Sequence, residues 1–500
     1  MISSLLSGLL GLVRIKYVAH VFGSDWHTDA YNAAFQLPDM ISYFLVGGVA
    51  SITLVSILNR HREAGDEDGA DRALSVVLIG MVTVLTIAVA LAELLAPVYT
   101  HLFFGKFDEQ TSELCTHLTR MLLPAQLFIF AGGVLGSRLL VRKIFLYQAI
   151  TPLIYNLGII GGGVLLSTRY HIDSLAYGVL GGAFFGFLIL NGIGAFRSGL
   201  KFHFLFNLRH PAFVEWLKLS LPLMVGVSLA MADKWILSHY AAADSGGITR
   251  LNNAKALFNA PLVIVGAAAG AASLPFFSSL FAQGKLYEFN ASVCRSVSRL
   301  LAVAMLLTAW MVPLALPIVN LLRGGKYSPG DVRLTAQYFA IFALSLALWS
   351  AQGIYARAFY AARNTLVPAI SGTVVTCVSI PIYAVLFHHI GVVGLAIASD
   401  IGIFAHTAAL AVLLHRHRLV SIASLEYGEL ARAAIAAIAA YFAISACIRF
   451  LPAGSGLFAN ITMLTACSIL WALVCFGVLR LTGSSLPDQL RRRRSTPAAA

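Results

Sequence analysis

The chain has 500 residues, of which 59% are hydrophobic and only 11% charged. A soluble domain carries about 25% charged residues, so this balance excludes a soluble globular protein and points to the membrane. The net charge of +13 does not indicate nucleic acid, because the basic residues sit in short loops and in the tail Arg491 to Arg494, as in loops held on a cytoplasmic face.

Apolar stretches recur along the whole length, each long enough to cross about 30 Å of hydrocarbon. In chain order the expected spans are 2–22, 29–58, 74–97, 119–141, 145–167, 174–196 and 214–240, then 251–281, 296–322, 332–360, 365–388, 391–415, 428–449 and 457–480. The fold class read from this is an all-α polytopic membrane protein with about 14 transmembrane helices. With both termini cytoplasmic, Lys and Arg favour the inside segments by about three to one, and an odd helix count would spoil the alternation. The opening "MISSLLSGLLGLVRIKY" lacks a basic n-region and a small-residue cleavage site, so it reads as a first membrane helix. Six scattered cysteines give neither a disulfide framework nor a metal site.

A faint repeat divides the chain. Pro38 is followed by Gly47 and Ser51, and Pro261 by Gly270 and Ser273 at nearly the same distances. A parallel repeat about an axis along the membrane normal fits this, and so does the general frequency of Gly and Pro in membrane helices. The domain reading is a six-helix lobe over 1–196, a pseudo-symmetric six-helix lobe over 214–415, two further helices over 428–480 and a basic cytoplasmic tail over 481–500. The small residues of the last two spans favour close helix contact, either as plain packing or as the wall of a lipid-facing groove.

Signatures of soluble enzymes are missing: there is no P-loop, GxSxG, HExxH or dinucleotide fingerprint. A transporter rather than an enzyme is expected, and any work must use a gradient or a partner. Ionisable groups at membrane depth then carry the information, since each costs at least ~2.5–3.5 kcal/mol to insert. Arg14 lies about 12 Å inside its helix and either lines a cavity or snorkels; Lys16 is better placed to snorkel. Asp39 follows Pro38, whose missing N–H opens the helix, and either lines a cavity or caps the segment after the break. Asp29 opens its span as a water-facing N-terminal cap. Asp233 and Lys234 are adjacent and point to different sides of a helix, so one of them faces the interior. Lys255, before Pro261, lines a cavity or snorkels at an outer mouth, and Asp400 has no partner close in sequence. Together these groups suggest a cationic hollow between two lobes, suited to an anionic substrate.

The stretch "SGLLGLVR…HVFGSDWHTDAYNAAFQLPD", with Ser51 beyond it, resembles the opening of the MurJ (MviN) lipid II flippases of the multidrug/oligosaccharidyl-lipid/polysaccharide exporter superfamily. "DKWILSHYA", "GAAAGAASLPFFSSL" and "YARAFYAARNTLVPA" are similar to later parts of that family, in the same order. The resemblance implies two six-helix lobes, a lipid-tail groove on the last two helices, and alternating access that carries a diphosphate-linked glycan headgroup across the bacterial inner membrane. The implied partners are an undecaprenyl-diphosphate-linked glycan and the bilayer, with no cofactor, a monomeric state, and a monovalent cation or the membrane potential as driving force. Arg14, Asp29, Ser51 and Asp233 stand at matching positions, Asp233 as the ion-coupling candidate; Asp39 and Lys255 join the candidate substrate-binding set. Gly8, Ser42 and Ala256 stand where the family has arginines, Gly47 where it has an acidic residue and Ile15 where it has an aspartate. Ser379 and Tyr383 fall at its eleventh-helix polar positions, which bears on sodium coupling. Alternatives from other classes are an exporter of another lipid-linked oligosaccharide and a non-transporting membrane scaffold.

Overall fold

Helices fill the apolar stretches in the computed structural model, which describes residues 2–43, 49–225, 229–270, 273–450 and 456–488. Several expected spans are single helices: α1 (Ile2–Phe22), α5 (Glu67–Phe103), α8 (Leu146–Tyr170), α20 (Tyr427–Phe450) and α21 (Leu457–Leu481). Others are broken. The second expected span contains α2 (Trp26–Ala34), α3 (Gln36–Ile41) and α4 (Val49–Glu63), with 44–48 outside the described residues. The break between α2 and α3 falls at Phe35, because Pro38 has no N–H to bond the carbonyl four residues back. The fourth breaks at Leu123 and Pro124 between α6 (Glu109–Leu122) and α7 (Ala125–Val141). Among the described residues, eight helices are long and apolar enough to cross a membrane, or nine if a pair bent by 44° counts as one span, against the fourteen expected; one of the eight is a merged hairpin. That hairpin is the long helix Leu366–Arg416, which turns back at Ile390 and Gly391.

The chain forms two compact units, Met1–Val227 with Ala242–Thr249, and Ser228–Ala241 with Arg250–Ala500. The two have matching backbones. Left-handed residues in the first half of the sequence include Gly23, Gly65, Lys143, His171 and Gly199, and those in the second half include Gly246, Gly284, Arg363, Gly391 and Arg418. These lie at corresponding points of the two halves, and four of the ten, Lys143, His171, Arg363 and Arg418, are non-glycine residues that adopt positive φ at a cost. A tertiary contact repeats as well. Asp71 Oδ2 accepts the Lys201 N–H at 2.9 Å in the first unit, and Asn290 Oδ1 accepts the Ser421 N–H at 2.7 Å in the second. The pseudo-symmetry that Pro38 and Pro261 hinted at is thus written in the turns.

In the first unit the core joins α4, α5 and α7 through Leu54, Leu74, Val77, Phe130 and Val134, with Trp216 added from α11 (Pro211–Val225). Arg138 and Asp71, 4% and 3% exposed, form a buried ion pair beneath it, and Arg138 also donates to Ser198 Oγ at 3.1 Å. Helix α8 packs on α9 (Asp173–Gly182) through two GxxxG faces, Gly158/Gly162 and Gly178/Gly182. A Cβ on Gly162 would stand 2.5 Å from Gly178 Cα, and one on Gly178 2.6 Å from the Gly158 carbonyl oxygen. Small residues let membrane helices approach this closely. Gly178→Val is expected to destabilise the first unit by about 1–3 kcal/mol or more. Gly161→Ala, whose added Cβ meets nothing within 4 Å, should leave the thermal midpoint unchanged or raise it. Denaturation of the two variants side by side checks this.

In the second unit, α15 (Leu286–Met311) packs with α18 (Leu346–Ala361) and the hairpin through Phe289, Val293, Ile354 and Phe359. The buried Ala433, Ala436, Ala437 and Ala440 of α20 form the small-residue face read from the sequence, and α20 packs on α15. Helix α21 is held to the same unit by hydrogen bonds from Trp471 Nε1 to the Leu306 carbonyl (2.8 Å), Trp310 Nε1 to Ser468 Oγ (2.9 Å) and Asn460 Nδ2 to the Pro317 carbonyl (2.8 Å).

Candidate functional site

Arg14 lies on α1 about two turns, or ~12 Å, from the end at Phe22. It is half-buried and makes no hydrogen bond or ion pair among the described residues. Its charge acts on the hydroxyls of Tyr31 on α2 and Tyr155 on α8. Asp39, half-buried on α3, acts on Tyr155 and on Tyr99 of α5. The first unit therefore has a guanidinium that makes no ion pair among the described residues, with the Tyr31 and Tyr155 hydroxyls in its field, a combination suited to an incoming anion. Asp39 does not cap the segment after the break; it sits inside α3, its N–H bonded to the Phe35 carbonyl at 2.8 Å. Lys16 is half-buried two residues beyond Arg14.

Asp29 is not the water-facing cap expected of it. Asp25 caps α2 instead, accepting the His27 and Thr28 N–H groups in a capping box. Asp29, 1% exposed, accepts the Gly246 N–H at 2.6 Å, the Thr249 N–H at 2.8 Å and the Thr249 hydroxyl at 2.7 Å. It thereby holds the first turn of α13 (Gly247–Gly270), whose start belongs to the first unit. A carboxylate at a helix N-terminus is favoured by the orphan N–H groups and the dipole. Asn32 adds a bond from Nδ2 to Thr249 Oγ1 at 3.0 Å. These partners lie more than two hundred residues away in sequence, so no local pattern could have named them.

In the second unit, Asp233 on α12 (Leu229–Ala241) and Lys255 on α13 form an ion pair. Asp233 is 2% exposed and also accepts from the Tyr383 hydroxyl. The Lys255 ammonium donates to Ser399 Oγ at 3.2 Å and lies 4.8 Å from the Phe342 ring and 5.6 Å from the Trp349 ring. Lys255 thus turns inward onto Asp233 instead of snorkelling to an outer mouth. Asp400, beside Ser399, has one buried oxygen without a hydrogen-bond partner among the described residues. Asp233 sits two turns before its helix end, as Arg14 does on α1; corresponding places in the two units carry opposite charges. Sequence reasoning named Asp233, Lys255 and Asp400 but not their assembly, nor the rings of Phe342 and Trp349. Ser51 lies on α4, with its side chain outside the described residues, as are Gly47 and Arg491 to Arg494. Ser42, in place of an expected arginine, donates to Gln126 of α7. No group of three His, Cys, Asp or Glu fit to hold a metal occurs among the described residues.

Comparison with known proteins identifies the chain's relatives. The family model described as "Lipid II flippase MurJ" matches residues 18–464. The "Lipid II flippase MurJ" of Burkholderia cenocepacia is 27% identical over 417 residues, covering 78% of each chain. The "Probable lipid II flippase MurJ" of Borreliella burgdorferi is 23% identical over 405 residues, covering 80% of this chain and 79% of its own. Among solved structures, "Lipid II flippase MurJ, inward closed conformation" matches 96% of this chain and 98% of its own at a TM-score of 0.79 and 22% identity. An inward-facing multidrug-resistance transporter of the MATE family matches 83% of this chain and 94% of its own at 0.67 and 15% identity, a likeness of fold. The chain belongs to the lipid II flippase MurJ family.

Proposed function

We propose that this protein flips lipid II, the polyprenyl-diphosphate-linked peptidoglycan precursor, across the bacterial inner membrane by alternating access. The observation that carries this, beside family membership, is Arg14: a half-buried guanidinium at membrane depth with no ion pair among the described residues and with tyrosine hydroxyls in its field. A diphosphate asks for such a partner, because a guanidinium offers paired donors to its oxygens. Insertion of a charge costs at least ~2.5 kcal/mol, and an anionic substrate supplies the interaction that offsets it. The chain acts as a monomer with both termini cytoplasmic, driven by the membrane potential or a monovalent cation. The candidate substrate-binding residues of the first unit are Arg14, Asp39 and Ser51, supported by Asp29, which holds α13; Lys255 is a separate candidate partner for an anionic group in the second unit.

A second reading, export of another lipid-linked oligosaccharide, is favoured by Gly8, Ser42 and Ala256, which leave fewer cations than the family's pattern supplies. Both are tested with the purified protein in liposomes carrying fluorescent lipid II. Transfer to the outer leaflet at a rate well above empty liposomes supports the first; no transfer of lipid II, with transfer of another polyprenyl-diphosphate glycan, supports the second.

A further inference from the structure

The second unit buries a charged cluster that the binding of an anion at Arg14 does not use. Asp233 of α12, Lys255 of α13, and Tyr383, Ser399 and Asp400 of the Leu366–Arg416 hairpin meet about 12 Å from their helix ends. The titratable groups facing Asp233 are Lys255 from α13 and Tyr383 and Asp400 from the hairpin. Phe342 of α17 (Pro329–Leu344) and Trp349 of α18 present rings to the ammonium. Asp233 is sealed, its side chain 3% exposed, whereas that of Lys255 keeps 19%. The cation is therefore the member of the pair that an outside anion can reach, and the carboxylate is the member that cannot turn to water.

We propose that Asp233 and Lys255 form an exchangeable lock: an anionic headgroup that takes Lys255 releases Asp233, which then takes up one proton. The inference rests on the reading of the substrate as a diphosphate. Its logic is the cost of an unpaired buried charge. Removing one partner of a buried ion pair leaves the other uncompensated, and the structure avoids this when the carboxylate becomes neutral. The balance is simple. The Asp233 carboxylate gains a proton from solvent, the Lys255 ammonium keeps its own, and the charge brought by the anion is partly cancelled.

A free alkali cation is a poorer replacement than a proton. Stripped of water, such an ion needs a shell of several oxygens. Around the ammonium stand an Asp233 oxygen and the Ser399 hydroxyl, and aromatic rings supply other sides. The second Asp233 oxygen is taken by Tyr383. A proton needs one oxygen, and the departure of Lys255 frees one. The Tyr383 hydroxyl keeps its bond to Asp233 in either protonation state, so the carboxyl stays in place while its charge changes.

The test uses the full-length protein in lipid nanodiscs with farnesyl diphosphate as the probe. Calorimetry in two buffers of different ionisation enthalpy counts the protons taken up on binding. The expected result is about one proton per diphosphate at about pH 8, and an affinity that weakens up to about tenfold per pH unit between about pH 8 and about pH 9. The probe is already fully ionised in that window, so the slope belongs to the protein. Asp233→Asn should bind severalfold more tightly, since Lys255 is no longer held, and should lose the uptake. Lys255→Met should bind more weakly and also lose it, while Asp400→Asn should retain it. Binding without proton uptake, or uptake that survives in Asp233→Asn, overturns the lock and leaves the substrate assignment standing. Failure of the diphosphate to bind overturns both.

Discussion

Arg14→Ala is expected to lower lipid II transport about tenfold or more while leaving the thermal midpoint of the protein unchanged. Hydrogen bonds to charged groups contribute about 1.5–3 kcal/mol each, and ~1.4 kcal/mol is a factor of ten. Among the described residues Arg14 makes no hydrogen bond or ion pair, so its removal orphans no buried acid there. That separates it from Arg138, whose loss would strand Asp71 in the core of the first unit. Arg14→Lys should recover only part of the rate, because an ammonium is a point charge without the planar fork that matches phosphate oxygens. Lipid II transfer in liposomes, read beside the melting curve, checks both claims. Transport retained in Arg14→Ala would remove Arg14 from the site.

Asp29→Ala should fail in the opposite way, through folding. The carboxylate accepts three hydrogen bonds from residues 246 and 249, and each buried donor left without a partner costs about 1–3 kcal/mol. A loss on the order of 3 kcal/mol or more is expected, with lowered expression and a lowered midpoint. Asp29→Asn keeps one acceptor oxygen and loses the charge at the helix N-terminus, so it should fall between the two. The comparison matters because both residues match the family's pattern and both variants should reduce transport in cells. Purified yield and melting temperature distinguish them: Asp29→Ala with wild-type stability and no transport would place Asp29 in contact with the substrate.

How far the sequence foretold this can be followed residue by residue. The long apolar runs located α8, α20 and α21 to within a few residues, and α5 without its first seven and last six residues, because length and hydropathy are local properties. Pro38 announced a broken helix, although the break opens upstream of it, where the missing N–H is felt. The repeat was half-visible in Pro38 and Pro261; its firmer evidence, left-handed Lys143 and Arg363, uses residue types that do not signal positive φ. Charged residues at depth were legible as costly and therefore informative, but their pairing was not. Asp233 and Lys255 are on different helices, and Asp29 answers to residues more than two hundred positions away, so only the packed helices bring them together.

The central claim, that this chain moves lipid II, is tested most directly in a bacterium depleted of its own lipid II flippase. The protein is expressed there at a verified level in the membrane, and lipid II exposed on the outer surface is measured. Restored surface lipid II and growth, both lost again with Arg14→Ala, are the predicted result. Good membrane expression with no surface lipid II would contradict it.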